Sequence, residues 1–233
     1  MTAVAPFAPT ARTRLRRRPD RGRYDRDSVF AILDAALFCH IGYVVEGQPF
    51  VTPTLFWREG ERLYWHGSSA SRMLRTQKAG IPVCLTVTHI DGLVLARSGF
   101  HHSLDYRSVM VLGAAEFVED EEEKRRGFEA FIERLYPGRN AELRPITAQE
   151  LKATALLRMP IAEVSAKLRT GGPVDDEEDY ALPCWAGVIP VALTLGAAIP
   201  DARLAPGIAP GRSLAPYAAG KPLGEVLSAL AKD

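Results

Sequence analysis

Cysteine is scarce in this chain: Cys39, Cys84 and Cys184 are an odd count among 233 residues, with no C-x-x-C pair. That excludes a disulfide framework and a cysteine-based zinc site, and it reads as buried thiols in a reducing compartment. Long apolar runs are missing too. No stretch approaches the ~20 apolar residues of a membrane span, and the N-terminus lacks the continuous apolar run of a signal peptide. A cytoplasmic protein is expected. Net charge is only +1, so no global field points to nucleic acid. There is no internal repeat. The chain has neither G-x-G-x-x-G nor a Walker A loop, which removes the Rossmann and P-loop phosphate sites. It has no G-x-S-x-G elbow for a nucleophilic serine, and no H-x-x-x-H or H-E-x-x-H for a helical metal site.

What is present is an ordinary globular composition, 47% hydrophobic and 24% charged, at a length that suits one large domain with appendages. Charge is unevenly placed. Residues 1–26 hold eight arginines against Asp20 and Asp25, whereas 119–123 and 175–179 are acidic. The first reads as a solvated basic arm over residues 1–20, disordered, and the others as acidic surface segments. An arginine-rich, acid-poor start also fits a transit peptide.

After the arm, Asp27 can cap a helix with Val29, Ile32, Leu33, Ala36 and Leu37 at helical spacing. Strand-like runs follow: "CHIGYVV", "FVTPTLFW" and "RLYWH" are joined by short turn sequences, the pattern of antiparallel hairpins. A brief helix opens at Ser71 and ends near Gly80. "PVCLTVTHI" leads to Asp91-Gly92, the strongest hairpin signal in the chain. "YRSVMVLGAAEFVE" reads as a long strand whose central glycine marks a bulge or a close approach. Asp120 starts an amphipathic helix with Phe128, Phe131, Ile132 and Leu135 on one face, and Thr147 with Glu150 forms a capping box for another. "AEVSAKL" and "WAGVIPV" look like late strands. Residues 196–233, rich in Ala, Pro and Gly, read as a loosely packed extension. The expected fold is mainly β: roughly six or seven antiparallel strands closed into a barrel over residues 21–195, with helices at the edges.

Two stretches carry chemistry. In "LYWHGSSASRML" a strand ends in His66, Gly67 and Ser68 and gives way to a helix opened by Ser71, Arg72 and Met73. Hydroxyls, helix-start N–H groups and an arginine together suit a phosphate; the plainer reading is a capped helix with a surface arginine. The second, "IDGLVLARSGFHHSLDYRSVMVLG", crowds His101, His102, Asp105, Tyr106, Arg107 and Ser108 between apolar strands, as a polar border to a ligand cleft. Adjacent histidines project in different directions, which argues against a metal site.

Spaced as they are, "TPTLFW", "LYWHGSSASRML", "YRSVMVLG" and "WAGVIP" resemble the pyridoxamine 5′-phosphate oxidase-like flavoproteins, and within them the flavin-nucleotide-binding, nitroimidazole-resistance-related branch. The resemblance covers residues 21–191. It implies a split β-barrel homodimer with FMN at the subunit interface. It further implies that Thr52, Pro53, Thr54 and Leu55 run along the flavin ring, that His66, Gly67, Ser68, Ser71, Arg72 and Met73 receive the phosphate, and that Arg107 and Ser108 border the cofactor. Trp185 is expected to pack near it from the partner chain. His66 lies where resistance members carry a histidine near the flavin, and it is the candidate catalytic residue; it can also merely cap the strand. One departure is Met73, where the oxidases proper carry a basic residue. The substrate-phosphate residues of those oxidases have no match either, which argues against vitamin B6 oxidation.

The function expected on this basis is an FMN-dependent oxidoreductase acting on a small molecule. A flavin carrier or sensor without turnover is the alternative, and a haem- or deazaflavin-binding split barrel is a third, kept open by His66, His89, His101 and His102. Nucleic-acid binding by the basic arm is the weakest of the four readings.

Overall fold

The computed structural model describes residues 5–77 and 80–231. Its ten strands form one sheet in the order β1-β9-β6-β5-β2-β3-β4-β8-β7, with β10 added alongside β5. In chain order these are β1 (Gly22–Arg23), β2 (Phe38–Val45), β3 (Gln48–Glu59), β4 (Arg62–Ser68), β5 (Pro82–Leu95), β6 (Ser103–Ala114), β7 (Glu116–Phe117), β8 (Thr154–Pro160), β9 (Glu163–Arg169) and β10 (Gly187–Pro190). The helices are α1 (Arg26–Asp34), α2 (Arg72–Gln77), α3 (Glu121–Leu135), α4 (Ala148–Ala153) and α5 (Leu223–Leu230). All pairings are antiparallel.

The sheet closes because two long strands change partner. β3 pairs with β2 up to Leu55 and with β4 from Phe56 onward, so it turns the corner from one half to the other. β6 passes through Ala115 into β7, which pairs with β8. At the second corner the Met159 side chain lies over Gly113: a Cβ there would stand 2.8 Å from the Met159 sulfur. Inward-facing side chains alternate along each strand, among them Ile41, Phe56, Leu63, Trp65, Leu85 and Leu157, and make one continuous core. Each such side chain contributes roughly 1.5–3 kcal/mol on leaving water.

Several expectations need correction in detail. The cap of α1 is Asp25, whose side chain accepts from the Ser28 N–H at 2.8 Å; Asp27 sits in the first turn. Asp91-Gly92 is not a hairpin. β5 runs straight through it with a bulge, because β6 supplies partners on both sides of the irregularity. The Asp91 carboxylate is held by Arg107, and a Cβ on Gly92 would stand 2.7 Å from Val188 of β10, so the glycine serves close packing instead of a turn. "TALLRMP", unassigned from sequence, is β8, and with the short β1 and β7 it raises the strand count above the expected six or seven. The α3 cap at Asp120 and the Thr147–Glu150 capping box are as expected.

The two ends of the chain also pack more than their compositions suggest. Phe7 is buried and its N–H bonds the Tyr24 carbonyl, while Arg12 pairs with Glu163 of β9. At the other end Val226 and Leu227 of α5 are buried, and the Tyr217 hydroxyl donates to the Leu135 carbonyl of α3. A few apolar anchors suffice to hold segments whose average composition is loose.

Burial also sorts the thiols. Cys39 lies in the core and its pKa is pushed up to about 12 by desolvation, whereas Cys184 is exposed. With a thiol-reactive chromogen at pH 8, Cys184 should label quickly and Cys39 only on unfolding, since the thiolate is the nucleophile. The unfolded thiol ionises near 8.5, so the Cys39 contribution to stability is intact below that pH and declines as pH rises toward 12. Labelling of native Cys39 at the Cys184 rate would contradict its burial.

Candidate functional site

Alternation along β4 decides what His66 faces. Leu63 and Trp65 point into the barrel core, while Tyr64 and His66 point the other way, onto α3. There Trp57 stacks on Tyr64 with ring centroids 5.5 Å apart and meets Phe131 at 4.7 Å. His66 stands edge-on to Phe128 at 5.6 Å and contacts Phe131 at 5.4 Å and Trp57 at 6.0 Å. The imidazole is thus enclosed by three aromatic rings. Its buried Nδ1 has no hydrogen-bond partner among the described residues, and burial pushes its pKa below the ordinary histidine value. An unmatched nitrogen in apolar surroundings is costly.

His66 also walls a cavity of ≈ 660 Å³, within the range of small-molecule and cofactor sites. Phe128, Phe131 and Ile132 of α3 line one side; Leu143, Pro145 and Ile146 of the following loop line the other. Glu129, Asn140, Arg144 and Glu150 are its polar lining, with Thr154 at the start of β8. The loop is anchored: Asn140 donates to the Glu129 carbonyl, and Arg125 donates to that of Ile146.

The stretch after His66 is folded by its own hydrogen bonds. The Ser69 N–H goes to the Ala153 carbonyl at 2.9 Å, that of Ala70 to Ser68 Oγ at 3.2 Å, and that of Ser71 to the Ser68 carbonyl at 2.8 Å. A phosphate would therefore be met by the first-turn N–H groups of α2 and the Ser71 hydroxyl. Met73 turns its side chain into the core, so it has only its backbone to offer. The Arg72 side chain lies outside the described part of the structure.

The β3–β4 ladder ends at Phe56 and Trp65; from there Thr52, Pro53, Thr54 and Leu55 run along β2, while His66, Gly67 and Ser68 run along β8, so the two stretches leave the same split on different partners. Arg107 and Ser108 lie on β6, with β2 and β5 between it and β3. There Arg107 makes a two-bond pair with Asp91, both at 2.8 Å, and Ser108 Oγ donates to the Lys167 carbonyl. Trp185 is 66% exposed at the start of the β10 segment. Within one chain, then, Arg107, Ser108 and Trp185 stand apart from the His66 corner.

Of the four other histidines, His40 is exposed on β2 and meets Phe38 edge-on, and three bond elsewhere. His89 Nε2 pairs with the Ile32 carbonyl at 3.0 Å, His101 with Asp176 at 3.4 Å, and His102 Nδ1 with the Ser98 carbonyl at 2.8 Å. No group of three or more His, Cys, Asp or Glu among the described residues is placed to hold a bare metal ion. No helix among them is long and apolar enough to cross a membrane.

Sequence reasoning missed the cavity itself. Phe128, Phe131 and Ile132 were legible as an apolar helix face, but a face that packs on a core and one that walls a cavity have the same periodicity.

Comparison with known proteins places the chain among relatives. The family model described as pyridoxamine 5′-phosphate oxidase matches residues 25–168. The chain is 46% identical to the flavocytochrome Anf3 from Azotobacter vinelandii, over 92% of this chain and 100% of that one, with a TM-score of 0.87. It is 35% identical to the FAD and haem binding protein from Mycobacterium smegmatis, over 85% and 98%, with a TM-score of 0.82. A candidate 5-nitroimidazole antibiotic resistance protein from Bacteroides thetaiotaomicron is 25% identical over 63% and 85%, with a TM-score of 0.53. Among curated proteins, none matches.

Proposed function

The chain belongs to the pyridoxamine 5′-phosphate oxidase family, and from that premise we propose that it is a flavin-binding redox protein whose second cofactor, a haem, lies in the His66 cavity. The observation that carries this reading is His66: an imidazole kept neutral by burial, with an unmatched buried nitrogen, on the wall of an aromatic-lined cavity. A neutral imidazole is a ligand for haem iron, and apolar walls suit a porphyrin face. The two relatives of highest identity named above, a flavocytochrome and a FAD and haem binding protein, support the pairing of cofactors.

The residues divide the work as follows. His66 would offer a haem iron a lone pair without first losing a proton. Trp57, Phe128 and Phe131 hold its ring in place and keep water from it. The corner formed by residues 52–55 and the start of α2 would hold the flavin and its phosphate, with Ser71 and Arg72 as the side-chain donors. Bound together, flavin and haem supply electron-transfer chemistry that no side chain of the chain provides. The exposed apolar side chains of Phe38, Val51 and Leu55, neighbours across β2 and β3, suit a second copy of the chain. A dimer of this kind is the setting in which Arg107 or Trp185 of one copy would meet the flavin of the other.

The sequence resemblance favours FMN and the Mycobacterium relative favours FAD; either carries a phosphate that the start of α2 would receive. Extraction of chromophores from the purified protein, with their masses, tests the reading: one flavin and one haem are expected, and the flavin mass decides between the two forms. Release of flavin alone, with no uptake of added haemin, would reduce the protein to a flavin carrier or oxidoreductase. The Ser71→Ala, Arg72→Ala double variant should lose flavin affinity about tenfold or more, from a charge-assisted bond of ~1.5–3 kcal/mol. Unchanged affinity would remove the phosphate from this corner.

A further inference from the structure

Among the described residues that line the cavity, Arg144 is the one Lys or Arg, set beside His66 and the acids Glu129 and Glu150. We propose that Arg144 recognises a carboxylate on the cavity's ligand, so that the site selects a flat apolar body with an acidic edge; this rests on the haem reading above.

The geometry shows why Arg144 is free to do so. In this structure its guanidinium grips Glu150 through two bonds, Nη1 to Oε2 at 2.9 Å and Nη2 to Oε1 at 2.6 Å. Its side chain is 67% exposed, a setting in which an ion pair adds little stability. Arg144 is the largest of the influences that hold the Glu150 carboxylate below its ordinary pKa, but it is not the carboxylate's only donor. The same carboxylate accepts from the Thr147 N–H at 2.9 Å and from the Thr147 hydroxyl at 3.0 Å as the N3 residue of the α4 capping box. If Arg144 turned to a ligand, Glu150 would keep both bonds and its place beside the helix N-terminus. Glu150 thus acts as a stand-in for the ligand's carboxylate.

Titration of the full chain, freed of porphyrin, with haemin, with metal-free protoporphyrin IX and with its dimethyl ester tests this. The metal-free pair removes iron ligation from the comparison. The wild type should bind the free acid at least about tenfold more tightly, relative to the ester, than does Arg144→Ala. Haemin affinity should fall by a similar factor in that variant, and Arg144→Lys should recover part of it. Glu150→Gln, which keeps a carbonyl oxygen for the cap, should leave the free-acid preference intact or raise it. Porphyrin binding in the wild type with an acid preference that survives Arg144→Ala would overturn the role of Arg144 alone. Failure of the wild type to bind any of the three would overturn the haem cavity, and this inference with it.

Discussion

Replacing Asp34 by alanine is expected to destabilise the fold by about 3–5 kcal/mol, the largest effect of any single change outside the core. Asp34 ends α1, and its carboxylate is only 10% exposed. It receives Arg58 of β3 through two bonds, one of them Nε to Oδ1 at 2.9 Å, and Arg134 of α3 at 3.1 Å. Both guanidiniums are 15% exposed, and desolvation lowers the pKa of Arg134 from its ordinary value. Alanine would leave two buried cations facing one another without their shared anion. The expected drop in Tm is roughly 6–20 °C for a chain of this size. Asp34→Asn, which keeps an acceptor, should cost less. Urea unfolding of the three proteins checks this, and a loss below about 1 kcal/mol for alanine would mean that water already screens the cluster.

His66→Ala is expected to have the largest functional effect: loss of the haem absorption with the flavin retained. The reason is the division of the site. The ring faces the aromatic cavity beside α3, whereas the flavin is proposed for residues 52–55 and the start of α2. Truncation removes the one imidazole in the cavity, and no other His, Cys, Met or Tyr lines it among the described residues. Visible spectra of wild type and variant, prepared side by side, check this. An unchanged haem spectrum would remove His66 as the iron ligand. Loss of flavin with haem kept would return His66 to the flavin edge, where the sequence resemblance had put it.

Much of this site was legible before the structure, though with its parts assigned to one cofactor. "LYWHGSSASRML" announces a strand that ends in a histidine and a small polar loop, because β-formers give way to glycine and serine. What the letters do not carry is which face of β4 meets which neighbour. A one-residue shift of phase would have sent His66 into the barrel core, and that phase is set by distant partners, Leu156 on β8 and Phe131 on α3. The same limit explains Asp91-Gly92. Its local preference for a turn is overridden by β6 and β10, which bind β5 on both sides. Arg107 was legible as an arginine between apolar strands, but its pairing with Asp91 follows from strand register, which a single sequence leaves open. The chain ends show the converse. Composition alone reads them as loose, yet Phe7 joins the core and Leu227 is buried on α5, which packs against α1 and α3.

The central claim is that iron stands at His66 in the cavity beside α3. An anomalous difference map at the iron edge, from crystals of the haem-loaded protein, tests it most directly. The account predicts one strong peak per chain inside the cavity, within bonding distance of the His66 imidazole. A peak at His89, His101 or His102, or none in the presence of bound haem's absorption, would contradict it.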